Sequence, residues 1–180
     1  MLVDMNLYAI RQYSSAGANG YMFCDDWGFQ DKLMISPSKW REIWKPRYKK
    51  IYDTAHEYGL YTFLHSCGYI IDILEDLAEV GLDVIQLDQQ ENMGIENLAK
   101  LSGKITFFNP VDIQNTMITC SAQEIENYAE NMIKQLGTAN GGFIAKWYSD
   151  PIAAGHTQKN VATMSRKFVD LCNNYKMLFY

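Results

Sequence analysis

The chain has 180 residues, of which 48% are hydrophobic, and a formal net charge of -5 at pH 7. This length can bury one sizeable core, and the acidic balance argues against a nucleic-acid partner. No apolar window reaches the length of a membrane span, the opening residues lack the pattern of a signal peptide, and the four cysteines are scattered. We therefore expect a cytoplasmic protein with no membrane or nucleic-acid partner.

The first predicted strand, residues 21–24, ends in two acidic residues. A helix over residues 2–14 precedes it. Asp25 and Asp26 follow the strand directly, although acidic residues are poor strand formers. Either one of these carboxylates faces a ligand or a metal-bound species, or they form an Asx-type turn or a helix cap. The two interpretations stay open at this point.

A long helix follows, with Ser36 as its N-cap and Pro37 at its first helical position. Aromatic and aliphatic side chains then recur at helical spacing, which indicates core packing rather than a cofactor platform. Pro46 is expected to kink or divide this helix. His56 lies near the helix end, where the helix dipole favours it, and we assign it no catalytic role.

The next apolar run, residues 60–64, predicts a buried strand that ends at His65 and Cys67. Residues two apart in a strand point to the same side, so the imidazole and the thiolate can converge on one ion. Zinc favours nitrogen and sulfur donors. A metal site needs three or four ligands, however, and the alternative is a half-buried histidine beside an inert cysteine.

Strand and helix continue to alternate through the rest of the chain. The further predicted strands lie at 83–87, 105–108 and 141–145, and the further helices at 70–80, 94–101, 121–136 and 157–173. This alternation predicts a parallel α/β sheet, whose functional edge is the carboxyl ends of the strands. No Gly-x-Gly-x-x-Gly segment or phosphate loop follows a strand, so a barrel is favoured over a nucleotide-binding doubly wound sheet.

Five strands are too few to close a (β/α)8 barrel, which typically needs about 250 residues. The sequence therefore predicts an α/β fold, with parallel βα repeats that form about five strands of a TIM-type (β/α)8 barrel. We expect one partial barrel domain over residues 1–180. An open parallel sheet leaves unpaired edges and an uncovered face, which predicts a homo-oligomer or a complementary N-terminal half.

Six segments resemble the uroporphyrinogen decarboxylase superfamily in order and spacing. They are Asp-Asp-Trp-Gly-Phe-Gln at 25–30, Met-Ile-Ser-Pro at 34–37, Phe-Leu-His-Ser-Cys-Gly at 63–68, Gly-Leu-Asp-Val at 81–84, Val-Asp-Ile-Gln at 111–114 and Gly-Gly-Phe-Ile at 141–144. The resemblance covers nearly the whole chain and is to the C-terminal half of the family's barrel. It implies that the first barrel strands lie upstream of Met1, and that the chain is a truncated gene product, a split gene or a deliberately expressed fragment.

The resemblance implies one of two chemistries. The true decarboxylases act without a cofactor on the acetate side chains of a tetrapyrrole. They carry an Asn-Leu-Gly-His-Gly-type segment where this chain has Lys-Trp-Tyr-Ser-Asp at 146–150. The segment around His65 and Cys67 instead resembles the cobalamin-dependent methyltransferases, in which zinc is held by that His, that Cys and a second Cys after the last strand. The resemblance thus implies zinc, and a methyl-corrinoid protein as partner.

The position of the second cysteine holds Ser149, whose neutral hydroxyl is a poor zinc ligand. Three interpretations stay open. Cys24 supplies the missing sulfur, or the site is completed by a side chain of different hardness, or the zinc site is lost and the barrel binds something else. The candidates of different hardness are Asp25, Asp150 and His156.

Our hypothesis is a methyltransferase-like protein that transfers a methyl group to a thiol or works in a demethylation system, with a corrinoid protein or a small-molecule methyl donor or acceptor as partner. The candidate site residues are His65, Cys67 and Cys24 for the metal, Asp25, Asp26 and Gln30 for catalysis, and Asp112, Gln114 and Tyr148 for the substrate. One alternative is a cofactor-free decarboxylase or lyase that acts on a porphyrin-like or aromatic acid. The other is a non-catalytic half-barrel that pairs with another chain.

Overall fold

Strands and helices alternate along the chain, as the sequence pattern predicts. The computed structural model describes residues 1–179, which contain five strands, and each strand pairs in parallel with another strand of its own half of the chain. This is an α/β fold of parallel βα repeats, and five strands amount to part of a TIM-type (β/α)8 barrel. The chain divides into two compact units, Met1–Gln86 and Leu87–Tyr180, which we call unit 1 and unit 2. A single partial-barrel domain over residues 1–180 stays a prediction.

Unit 1 is built on three parallel strands. They are β1 (Gly20–Cys24), β2 (Tyr61–His65) and β3 (Val84–Gln86). The β1–β2 register sets Cys24 opposite His65, and the β2–β3 register sets His65 opposite Gln86. The carboxyl ends of all three strands therefore lie around His65.

Four helices accompany these strands. They are α1 (Leu2–Ser15), α2 (Pro37–Ile43), α3 (Lys45–Glu57) and α4 (Ile71–Glu79). The side chain of Ser36 accepts a hydrogen bond from the backbone N–H of Lys39, which confirms the predicted N-cap. The predicted long helix is divided just before Pro46, because proline has no N–H for the helical ladder and its ring clashes with the preceding turn.

The aromatic stripe of α2 and α3 forms the core of unit 1, as predicted. Trp40 and Tyr52 are fully buried, and Tyr48 is 2% exposed. The ring of Tyr48 stacks on that of Trp40 with 5.5 Å between centroids and contacts Tyr52 at 5.6 Å. Aromatic pairs at these separations add to the free energy gained by burial. The stripe is packing, and no cofactor needs to be invoked for it.

Unit 2 is built on two paired parallel strands and four helices. They are β4 (Thr106–Asn109), α5 (Ile95–Leu98), α6 (Thr116–Thr119), α7 (Ala122–Leu136), β5 (Phe143–Ala145) and α8 (Gln158–Asn173). The helix predicted at 121–136 is α7, and Ser121 and Glu124 form a capping box at its start. The predicted helix at 94–101 continues after α5 as a 3-10 turn, Ala99–Leu101. Helix α6 was not predicted, because four residues are too few to show a helical period.

No helix within residues 1–179 combines the length and the apolar character that crossing a membrane requires.

Candidate metal centre

The loops that follow β1 and β2 are hydrogen-bonded to each other along their backbones. The N–H of Trp27 donates to the Ser66 hydroxyl at 3.1 Å, and the N–H of Gly28 donates to the carbonyl of Cys67 at 3.2 Å. The N–H of Tyr69 donates to the carbonyl of Phe29 at 2.7 Å. These bonds hold residues 26–29 against residues 66–69, and we call the pair of segments the loop clamp.

Two glycines allow the loop clamp to close. A Cβ on Gly28 would lie 2.3 Å from the backbone nitrogen of Tyr69, and a Cβ on Gly68 would lie 2.3 Å from the carbonyl oxygen of Gly28. Gly68 also has a φ of +74°, in the left-handed region. The segment Asp-Asp-Trp-Gly at 25–28 and the segment His-Ser-Cys-Gly at 65–68 each end in glycine, because the two backbones touch at that point.

The loop clamp brings Asp26, His65 and Cys67 together. One ligand atom from each lies within 4.8 Å of the others. The Nε2 atom of His65 lies 3.3 Å from the Cys67 sulfur and 3.5 Å from Oδ1 of Asp26. Nitrogen, sulfur and carboxylate oxygen are the donors that zinc uses in proteins, so these residues fit that ion.

The His65 ring is held in one tautomer. Its Nδ1 atom is hydrogen-bonded to Oε1 of Gln86, and an amide oxygen can only accept, so the hydrogen lies on Nδ1. In the neutral ring the lone pair then lies on Nε2, which faces Cys67 and Asp26. The His65 side chain is 16% exposed, whereas Asp26 is 53% exposed, so the cluster opens to solvent on the side of Asp26.

Asp25 lies next to this cluster but has different partners. Its Oδ2 atom accepts a 2.6 Å hydrogen bond from the Tyr48 hydroxyl, which itself accepts from the Trp27 indole at 2.7 Å. Burial raises the pKa of the Asp25 carboxyl, and the nearby charge of Asp26 raises it further, although the Tyr48 hydrogen bond opposes both. Burial and the charge of Asp25 raise the pKa of Tyr48, so its hydroxyl stays a donor.

Cys24 does not belong to the cluster. It is exposed, and it lines a cavity of about 210 Å3 together with Asp25 and residues of α1 and α3. Gln30 lies exposed on the same loop as Asp26. The structure therefore joins two predicted metal ligands, His65 and Cys67, to a residue predicted as catalytic. The roles assigned to Cys24, Asp25 and Gln30 stay predictions.

The three substrate candidates lie in unit 2. Both carboxylate oxygens of Asp112 accept hydrogen bonds from its own loop, at 3.0 Å from the N–H of Gln114 and at 2.8 Å from the N–H of Thr116. Gln114 is exposed and lines a surface pocket together with Tyr148. Asp112 thus closes the turn before α6, while Gln114 and Tyr148 share one pocket. Substrate binding by the three stays a prediction.

The other residues considered for the third ligand hold loops of unit 2. The ring of His156 is buried, and its Nε2–H donates to the carbonyl of Ile113 at 2.9 Å. Oδ1 of Asp150 accepts from the N–H of Ala153 at 3.0 Å, and Ser149 is exposed.

Gln86 is the residue that the sequence argument missed. Its only signal was its place near the end of a predicted strand, which many structural residues share. The contact with His65 joins residues 21 positions apart, and it depends on the β2–β3 register.

Comparison with solved structures shows the same fold elsewhere. A methyltransferase from Methanosarcina mazei is 17% identical with a TM-score of 0.68, over 94% of this chain and 47% of that one. A phospho-2-dehydro-3-deoxyheptonate aldolase from Thermotoga maritima is 17% identical with a TM-score of 0.52, over 79% and 37%. The chain spans about half the length of these proteins or less. At such identities the likeness concerns the fold alone.

No curated protein matches the chain. The family profile described as Uroporphyrinogen decarboxylase (URO-D) matches residues 1–168. That match covers most of the sequence and includes all six segments named above, together with Asp26, His65 and Cys67. It confirms the resemblance to this superfamily that the six segments indicated. The chain belongs to the uroporphyrinogen decarboxylase family.

Proposed function

We propose that this protein is a methyltransferase-like member of the family, in which Asp26, His65 and Cys67 hold a zinc ion. One observation carries the proposal: oxygen, nitrogen and sulfur donor atoms lie within 4.8 Å of one another at the ends of adjacent parallel strands. The carboxyl ends of such strands are where proteins of this architecture place their active sites. The structural similarity to a methyltransferase agrees with this choice.

Three protein ligands are the number found in catalytic zinc sites, which keep a further position for water or substrate. Asp26 takes the place of the sulfur that Ser149 does not supply. A carboxylate is a harder ligand than a thiolate, but zinc accepts both. The backbone N–H of Cys67 donates to Oδ1 of Asp26 at 2.8 Å and so holds this carboxylate beside the thiol.

Zinc bound there would supply a Lewis acid that keeps a substrate thiol deprotonated at neutral pH. The thiolate would take the methyl group from a methyl-corrinoid protein. Its electron pair would form the new sulfur–carbon bond, and the pair of the broken cobalt–carbon bond would stay with the corrinoid. Asp25 and Gln30, on the same loop as Asp26, are proposed as pocket residues of unit 1. Gln114 and Tyr148 are proposed, separately, as substrate-binding residues of unit 2.

Metal analysis tests the site. Protein purified without chelator and then equilibrated with zinc is expected to carry about one ion per chain, because one three-ligand site takes one ion. His65→Ala and Asp26→Ala are expected to lose it. His56→Ala is the matched control, because that histidine of unit 1 pairs with Asp83 at 2.8 Å and lies outside the cluster. A parent protein without zinc, or a His65→Ala variant that keeps it, would contradict the assignment.

Product analysis tests the reaction. Methylcobalamin serves as the methyl donor and 2-mercaptoethanol as the acceptor, and mass spectrometry measures the methyl thioether. We expect product from the zinc-loaded parent and none from Cys67→Ala. Release of CO2 from a porphyrin-like or aromatic acid, without thioether formation, would favour the decarboxylase alternative instead.

A further inference from the structure

We infer that Gln86 is a positioning residue, whose side-chain oxygen holds the His65 ring in the tautomer and orientation in which Nε2 can bind a metal. The inference deepens the proposed function and rests on it. The side-chain oxygen of Gln86 is bonded to Nδ1 of His65, so its effect on a metal at Nε2 would pass through that ring.

The contact is built into the sheet. Gln86 is the last residue of β3, lies opposite His65 in the β2–β3 register and is only 3% exposed. Its backbone oxygen accepts from the N–H of Ser66 at 3.3 Å, while its side-chain oxygen is bonded to Nδ1 of His65. One buried residue thus holds both the ring and the loop that leads to Cys67.

The chemistry of the amide explains the choice of side chain. An oxygen acceptor at Nδ1 requires the hydrogen there, and the partner of one ring nitrogen decides what the other can do. An apolar residue at position 86 would leave the Nδ1–H of a half-buried ring without this acceptor. The ring could then move its hydrogen to Nε2, and that nitrogen could no longer bind a metal.

Zinc affinity is the first measurement, made by competition with a chromophoric chelator. Gln86→Leu keeps the bulk but removes the acceptor, and we expect its zinc Kd to rise about 10- to 100-fold, as for other partners of metal-binding histidines. Gln86→Glu restores an oxygen acceptor and is expected to bind zinc within a few-fold of the parent. Gln90→Leu is the control, because Gln90 is equally buried but donates to the carbonyl of Pro110 in unit 2.

The tautomer of His65 is the second measurement, and it does not require the metal. Nitrogen-15 NMR of the metal-free protein at about pH 8, above the ordinary imidazole pKa of about 6.5, reports which ring nitrogen carries the hydrogen. We expect hydrogen on Nδ1 in the parent and a shift toward Nε2 in Gln86→Leu. If Gln86→Leu does not fold, Gln86→Asn takes its place in both experiments, because the shorter side chain withdraws the amide oxygen from His65 by one carbon.

The two measurements separate the two proposals. If His65→Ala loses zinc but Gln86→Leu binds it as tightly as the parent does, the positioning role is wrong while the metal site stands. If the parent binds no zinc, the proposed function fails, and the tautomer alone decides the role of Gln86. An unchanged His65 tautomer in Gln86→Leu would then overturn the inference.

Discussion

Units 1 and 2 carry similar polar residues after their strands but use them differently. In unit 1, ligand atoms of Asp26, His65 and Cys67 converge on one another. In unit 2, Asp88 after β3 pairs with Lys146 after β5 at 2.6 Å, and the two side chains are only 12% and 20% exposed. The first arrangement leaves a place for an ion, whereas the second neutralises its own charges.

Single residues show the same contrast. Asp112 and His156 were candidates for function, and each is hydrogen-bonded to backbone groups in unit 2. Glu91 of the same unit accepts a hydrogen bond from the Tyr128 hydroxyl. A polar side chain after a strand is therefore a good candidate for a metal site only when its ligand atom faces other ligand atoms and solvent.

The largest expected effect is on zinc binding by Cys67→Ala. Removal of a direct ligand is expected to weaken zinc by more than the 10- to 100-fold typical of an outer partner, with little change in the midpoint of thermal unfolding of the metal-free protein. Zinc titration and thermal unfolding of the same samples measure both quantities. Tight zinc binding by Cys67→Ala would remove the contrast between the two units.

The loop clamp can be broken at Gly68. Gly68→Ala places a side chain on left-handed backbone and sets its Cβ 2.3 Å from the carbonyl oxygen of Gly28. It is expected to lower the free energy of unfolding by at least about 2 kcal/mol and to weaken zinc binding. Gly59→Ala is the matched control, because Gly59 has a φ of +72° but nothing within 4 Å of its Cβ. Gly59→Ala is expected to lower the free energy of unfolding by about 1 kcal/mol and to bind zinc as the parent does. Urea unfolding measures the loss of stability in both variants, and an equal loss in Gly68→Ala and Gly59→Ala would argue against the loop clamp.

The structural use of polar residues in unit 2 can be tested at Asp112. Asp112→Ala removes an acceptor from the buried N–H of Thr116 and is expected to cost about 1–3 kcal/mol of unfolding free energy. Zinc binding is expected to stay at the parental value. Loss of zinc by this variant in a folded state would show that unit 2 contributes to the metal site.

The smallest expected effect is at the contact between α7 and α8. Lys134 and Lys167 lower the pKa of Glu130 from 4.5 to about 2. A pKa lowered by folding stabilises the folded state above pH 4.5, and this contribution is lost as the pH falls toward 2. Glu130→Gln is expected to cost about 0.2–1 kcal/mol at neutral pH, and less in high salt. Urea unfolding across this pH range should show the difference from the parent disappearing, and a constant difference would exclude the ion pair as its cause.

The sequence by itself determined the order of strands and helices, the N-caps at Ser36 and Ser121 and the helix break before Pro46. These features depend on steric and hydrogen-bonding preferences within a few residues, so a local pattern contains them. The pairing of His65 with Cys67 was also local, because residues two apart share one side of a strand.

Only the tertiary structure decided which partners His65 has. Cys24, Asp25 and Asp26 follow one another within three positions, and no local rule separates them. Asp26 reaches Cys67 across 41 residues through the loop clamp, while the strand register brings Gln86 to His65. Contacts of this kind depend on register and on the close approach of two backbones, which local patterning does not specify.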